Sequence, residues 1–129
     1  MKRILIISVI FILVSCQQKS RIQTYPNKMS EMALSMRSMV DQLNNAKDDI
    51  NSGLKAHLSI EDFKDYNFTD DSFENEGFNP MADAFLLATK RFNEDPSAYN
   101  YNLVVNSCRS CHMTMCSGPL ELINTLDID

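Results

Sequence analysis

The sequence predicts an all-α fold, a four-helix bundle, from its apolar periodicity and its helix-start signals. One apolar stripe has the seven-residue spacing of a helix with one buried face, at Met29, Met36, Leu43 and Ile50. Asn79-Pro80 and Asp95-Pro96 each indicate a helix start, because Asn or Asp caps a helix and Pro suits its first turn. The sequence contains no internal repeat, dinucleotide-binding fingerprint or phosphate-binding loop.

Two long helices, one medium helix and one short helix account for most of the chain from residue 28 onwards. Gly53 suits the end of the first helix, and Ser117-Gly118-Pro119 ends the last long one. The tail after Pro119 carries apolar residues that can fold back as a short helical turn. The predicted helices cover residues 27–52, 60–66, 79–93 and 96–115, and the tail is 120–129.

The first fifteen residues predict a signal peptide that is separate from the folded domain. Lys2 and Arg3 precede an apolar run from Ile4 to Val14, which Ser8 alone interrupts. As a helix this run would be only about 16 Å long, too short for a hydrocarbon layer of roughly 30 Å. A charged start followed by a short apolar run is typical of an export signal.

Cys16 is the predicted lipidation site. A small residue followed directly by Cys16, with polar residues behind it, resembles the processing site of bacterial lipoproteins. This resemblance implies cleavage before Cys16, a lipidated tether over 16–27, and a membrane-anchored protein facing the periplasm or the cell surface. Ordinary secretion with an unmodified cysteine is the alternative.

The charge of the chain limits its partners. Removal of residues 1–15 would remove Lys2 and Arg3, leaving 10 basic and 17 acidic side chains and a formal charge of −7. This balance argues against nucleic acid and anionic lipid as partners, and it permits a basic docking protein.

The motif with the clearest chemistry is Cys108-Arg109-Ser110-Cys111-His112. In an exported protein, C-x-x-C-H indicates covalent attachment of c-type haem. On a helix, Cys108, Cys111 and His112 project from one face. The two thiols would form thioethers with the haem vinyl groups, and His112 would be the proximal iron ligand.

Two other readings of these cysteines are possible. A thiol–disulfide motif normally follows a strand in a βαβ unit, and none is predicted here. A zinc site could use Cys108, Cys111, His112 and Cys116, although structural zinc sites usually draw ligand pairs from separate stretches. Cys116 itself is either a packed thiol beside the haem or a reactive or partner-bonded cysteine.

The haem motif near the end of the last helix, with a Met-bearing first helix, resembles the class II c-type cytochromes, the cytochrome c-prime group. The resemblance extends from about Met29 to Met115. It implies a haem between helices, His112 as proximal ligand, and a distal position that a first-helix Met fills in low-spin members and that stays open in others. The irregular segment after the first helix and the break after Met115 depart from the family pattern.

Met36 is the predicted distal ligand. Short connections favour antiparallel first and last helices, so that His112 faces the early part of the first helix. Matching levels along the two helices selects Met36, with Met39 and Met32 one turn to either side. A Met stripe is more often core packing, and at most one thioether can bind the iron.

The function predicted from these features is single-electron transfer by a membrane-tethered monohaem cytochrome, an electron carrier and not an enzyme. It would dock weakly with redox partners and could form a homodimer. A five-coordinate haem protein that binds a diatomic gas is one alternative, and a non-haem lipoprotein with a zinc ion or a disulfide is another. No paired carboxylates or nucleophile–base pair indicates hydrolysis.

Overall fold

The structure, a computed structural model, describes residues 28–129, so the predicted signal peptide, Cys16 and the tether lie outside the described residues. Within that range 61% of the residues are helical and none is in a strand, which confirms the all-α class. None of these helices is both long and apolar enough to cross a bilayer. The elements are α1 (Glu31–Asn51), a 3-10 turn (Asp71–Phe73), α2 (Phe78–Glu94), α3 (Ala98–Thr114) and α4 (Leu120–Ile123).

Helix α1 confirms the predicted first helix, with bounds a few residues inside 27–52. Ser30 caps it, because its side-chain oxygen accepts a hydrogen bond from the backbone N–H of Ala33 at 3.1 Å. Gly53, with φ of +69°, provides the left-handed residue just beyond its end. The buried face consists of Met32, Met39, Leu43 and Ala46.

The predicted short helix over 60–66 is wrong, because this stretch is irregular apart from a turn near its end. Phe63 and Phe68 both pack edge-to-face on Phe78, with ring centroids 6.0 and 4.9 Å away. Phe68 lies just beyond the predicted helix. Within the predicted helix, the N–H of Lys64 donates to the side-chain oxygen of Asp62 at 3.1 Å. This local side-chain bond takes the place of a helical backbone bond and favours the irregular backbone.

The irregular segment, residues 54–70, runs back along α1. Near its start, the N–H of Ser59 donates to the side-chain oxygen of Gln42 at 2.8 Å. Near its end, the N–H of Met32 donates to the carbonyl oxygen of Asn67 at 3.2 Å. Contacts with successively earlier residues of α1 show that the segment and α1 run in opposite directions.

Helices α2 and α3 form a closely packed antiparallel pair, and their bounds confirm the predicted 79–93 and 96–115 to within two residues. Ser97 caps α3 by accepting a hydrogen bond from the N–H of Asn100 at 3.3 Å. Phe92 and Tyr101 pack edge-to-face beside the connection, with ring centroids 6.1 Å apart. At the far end of the pair, Asn75 donates to the sulfur of Met115 at 3.4 Å.

The C-terminal tail folds back, as predicted, and closes the domain. It forms α4 and buries Ile123 and Leu126. The ammonium group of Lys47 on α1 donates to the carbonyl oxygens of Thr125 and Asp127, at 3.2 and 2.6 Å. The tail therefore connects α1 with α3.

Candidate functional site

The predicted haem-attachment motif occupies the last two turns of α3. His112 is 9% exposed, and Cys108 packs against the hydrophobic core. Cys111 lines a surface groove beside α2. Because α3 is helical from Ala98 to Thr114, these three side chains have the spacing of one helix face that the sequence predicts.

A hydrogen bond fixes the tautomer of His112. Its Nδ1 lies 3.0 Å from the backbone carbonyl oxygen of Cys116. A carbonyl oxygen can only accept, so Nδ1 carries the hydrogen and Nε2 of the neutral ring keeps its lone pair. Metal-ligating histidines are commonly oriented by such a bond through the other ring nitrogen. Nε2 is therefore the ring nitrogen of His112 that can accept a proton or coordinate a metal ion.

The thiol of Cys116 contacts the same ring nitrogen. Its Sγ lies 3.3 Å from Nδ1 of His112. The sequence predicts that this cysteine lies near the motif, but it does not identify its partner. The available signal is the spacing of four residues from His112, together with the helix-stopping residues Ser117-Gly118-Pro119 that directly follow Cys116.

All three cysteines near the motif are free and partly buried. Burial raises the pKa of Cys108 to about 12, with a further contribution from Cys111. Burial also raises the pKa of Cys111 and of Cys116 above the ordinary thiol value. Redox-active and metal-binding cysteines need accessible thiolates, which a raised pKa disfavours.

The four side chains proposed for the zinc alternative do not converge. Within residues 28–129 no group of three or more His, Cys, Asp or Glu side chains is arranged to hold a metal ion directly. A tetrahedral zinc site needs four such ligands around one point. The haem prediction depends instead on the spacing of one imidazole and two thiols along a helix, and α3 carries Cys108, Cys111 and His112 without a break.

The groove beside the motif lies between α2 and α3 and has a volume of about 390 Å³. Its wall is mostly apolar, with Met81, Ala84 and Ala88 from α2 facing Leu103 and Cys111 from α3. Arg91 is the one charged residue in this wall. Cys111 thus belongs to the motif and also lines this surface groove.

The methionines of α1 lie at the level of the motif. Tyr101 contacts Leu43 through a hydrogen bond, which fixes the register of the antiparallel α1 and α3. His112 comes eleven residues after Tyr101, and Met32 comes eleven residues before Leu43, a rise of about 16 Å on each helix. Along antiparallel helices with aligned axes, this residue count puts Met32 close in level to His112 and Met36 about one turn away.

The burial of the three candidate methionines differs. Met32 and Met39 belong to the buried core, and Met36 is half-buried against it. Helix α3 packs closely against α2 and touches α1 more lightly. The contact of α3 with α1 is thus less extensive than its contact with α2.

Arg109, inside the motif, is held by the C-terminal tail. Its guanidinium forms an ion pair with Asp127 at 2.5 Å and donates to the side-chain oxygen of Asn124 at 2.9 Å. It also donates to the side-chain oxygen of Asn106. The tail therefore supports the outer face of the helix that carries the motif.

Comparison of this chain with protein-family models, curated proteins and solved structures gives no significant match.

Proposed function

We propose that this protein is a membrane-tethered monohaem c-type cytochrome that carries single electrons between redox partners outside the cytoplasm. The observation that carries the proposal is the hydrogen bond from Nδ1 of His112 to the Cys116 carbonyl oxygen, on a helix whose same face bears Cys108 and Cys111. This arrangement offers one nitrogen lone pair and two thiols in the pattern that c-type attachment uses.

The residues have separate roles in this proposal. Haem, when bound, supplies an iron that changes its charge by one electron. Cys108 and Cys111 would hold the group covalently, and His112 would bind the iron through Nε2. The carbonyl oxygen of Cys116 would keep the imidazole in the tautomer that can bind.

The class II cytochrome resemblance offers a framework for the fold, as a four-helix bundle in which one helix is replaced. The irregular segment over residues 54–70 runs antiparallel to α1, in the direction that a second bundle helix would take. We propose that the haem lies between α1 and the end of α3, and that a methionine of α1 provides the distal ligand. Met36 is the residue that the sequence predicts, and Met32 is the one that the register of the structure favours.

The partners follow from charge and tethering. A lipid on Cys16 would confine the protein to a membrane surface, and a mature charge of −7 favours a partner with a basic docking surface. All seven acidic residues between Glu61 and Glu76 are exposed, which is consistent with weak, salt-dependent encounters.

An optical spectrum of the protein expressed with haem-attachment machinery tests the proposal. We expect a reduced c-type spectrum, haem that stays attached in denaturing gels, and a mass increase of one haem. A low-spin spectrum that carbon monoxide does not change would indicate a filled sixth position and an electron carrier. A high-spin spectrum that shifts with carbon monoxide would instead indicate gas binding, and the absence of covalent haem would reject both.

Cysteine variants test which thiols attach the haem. Cys108→Ala and Cys111→Ala should each remove one thioether, and the double variant should lose covalent haem. Cys116→Ala is the matched control, because this cysteine lies outside the attachment pattern and should leave the haem bound. Equal haem loss in all three single variants would contradict the assignment.

A further inference from the structure

We infer that Cys116 is a positioning residue for His112, whose sulfur accepts a second hydrogen bond from the imidazole and thereby lowers the reduction potential of the haem. This inference rests on the proposed function, since it concerns the proximal ligand. It assigns a role to the third cysteine near the motif, which the attachment of haem leaves unused.

The geometry decides which atom donates and which accepts in the contact between His112 and Cys116. Nδ1 of His112 is 3.0 Å from the Cys116 carbonyl oxygen and 3.3 Å from the Cys116 sulfur. The carbonyl requires the hydrogen to be on Nδ1, so the sulfur, at a distance usual for N–H···S contacts, must be an acceptor. One N–H is therefore shared between two acceptors of the same residue.

The backbone holds Cys116 in place for this contact. The N–H of Met115 donates to the carbonyl oxygen of Cys111 at 2.9 Å and closes the last turn of α3. The N–H of Leu120 donates to the carbonyl oxygen of Ser117 at 3.1 Å and forms the turn into α4. Cys116 lies between these two turns, so its backbone is held on both sides.

A hydrogen bond at Nδ1 of His112 should shift the reduction potential of the haem in one direction. A stronger bond from Nδ1–H gives the imidazole more electron density at Nε2, because outer hydrogen bonds raise the basicity of a ligating histidine. More donation stabilises ferric iron over ferrous iron. The Cys116 sulfur should therefore lower the potential, and its removal should raise it.

The test is a redox titration of three haem-loaded proteins: wild type, Cys116→Ala and Cys116→Ser. In Cys116→Ala the sulfur is lost while the carbonyl remains. We expect the ratio of reduced to oxidised protein at fixed ambient potential to rise about threefold, since sulfur is a weak acceptor. The Ser variant, which keeps an acceptor, should fall between Ala and wild type. Ser117→Ala, a neighbouring exposed position, is the matched control and should leave the potential unchanged.

A second measurement separates this role from a general loosening of the site. In the ferric haem-loaded protein the Nδ1 proton of His112 would give a hyperfine-shifted NMR signal, and its position would report on the strength of its hydrogen bond. This signal should move in Cys116→Ala and return towards wild type in Cys116→Ser. If the Ala variant does not fold, Cys116→Val keeps the side-chain volume without an acceptor and takes its place.

The outcomes distinguish the inference from the function it rests on. Absence of covalent haem in the wild type would reject the proposed function before any variant is titrated. Normal haem attachment with unchanged potentials in the Ala and Ser variants would overturn the role of Cys116 alone. Equal shifts in the Ala and Ser variants would also overturn it, because a purely structural effect does not discriminate between them.

Discussion

The hydroxyl group of Tyr101 on α3 lies 3.2 Å from the backbone carbonyl oxygen of Leu43 on α1. The same hydroxyl lies 3.1 Å from the carbonyl oxygen of Leu126 in the C-terminal tail. Tyr101 is 0% exposed, so one buried side chain joins three parts of the domain. It also holds the backbone of α1 at Leu43 beside α3.

Replacement of Tyr101 by Phe should lower the free energy of unfolding by about 1–2 kcal/mol, because a buried hydrogen-bonding group loses its partner while the ring remains. Chemical denaturation of the haem-loaded protein, followed by circular dichroism, measures this change. Tyr99→Phe is the matched control, since Tyr99 is 73% exposed, and it should change stability by less than about 0.5 kcal/mol. Equal effects in the two variants would show that the Tyr101 hydroxyl bonds do not stabilise the fold.

Tyr101 also predicts a loss of stability at alkaline pH. Burial raises the pKa of Tyr101 well above its ordinary value. Because the folded protein binds this proton more tightly than the unfolded chain, the stabilisation is fully present below about pH 10 and is lost as pH rises above it. Between about pH 10 and 12, the wild type should lose up to about 1.4 kcal/mol per pH unit more than Tyr101→Phe. Parallel stability curves for the two proteins in this window would contradict the prediction.

Asn93 should stabilise the irregular segment through two hydrogen bonds to the backbone of Leu58. Its side chain accepts from the N–H of Leu58 at 2.9 Å and donates to the carbonyl oxygen of Leu58 at 2.8 Å. Asn93→Ala would leave both backbone groups of a buried residue without these partners, at a cost of about 1–3 kcal/mol. Urea denaturation measures it, with the exposed Asn44→Ala as control. A loss no larger than that of the control would mean that other contacts hold the segment.

The helices could be predicted from the sequence because their signals are local. The apolar period of α1, its end at Gly53 and the Asp95-Pro96 connection all lie within a few residues of the elements that they specify. The irregular segment could not be predicted in the same way. Its backbone is held by Gln42 and Asn93, which are 17 and 35 residues away from their partners.

In the candidate site, too, the sequence predicts the features that depend on local spacing and not those that depend on distant contacts. The spacing of Cys108, Cys111 and His112 on one helix face follows from the helical period alone, and the sequence predicts it. The bond from His112 to Cys116 depends on how the chain turns after α3, and periodicity carries no information about that turn. The ion pair of Arg109 with Asp127 depends on the return of the tail over 18 residues.

The lipid anchor is a separate prediction from the haem. Cys16→Ser, expressed in a bacterium that processes lipoproteins, should move the protein from the membrane fraction to the soluble exported fraction, because the Cys16 thiol is the predicted site of acylation. Detergent phase separation and mass spectrometry of the N-terminus measure the change. Haem attachment should stay normal, since Cys16 lies outside the motif. Continued membrane association of this variant would contradict lipidation at Cys16.

Three single variants of α1 test which residue is the distal ligand: Met32→Ala, Met36→Ala and Met39→Ala. Only one thioether can bind the iron, so a single variant should convert the low-spin spectrum into one that carbon monoxide changes. The register set by Tyr101 and Leu43 ranks Met32 first, and Met36, one turn later, second. Loss of a thioether ligand should also lower the reduction potential, whereas loss of a packed methionine should lower only stability, by about 2–5 kcal/mol. Three variants that all keep a low-spin spectrum would show that the distal ligand does not come from α1.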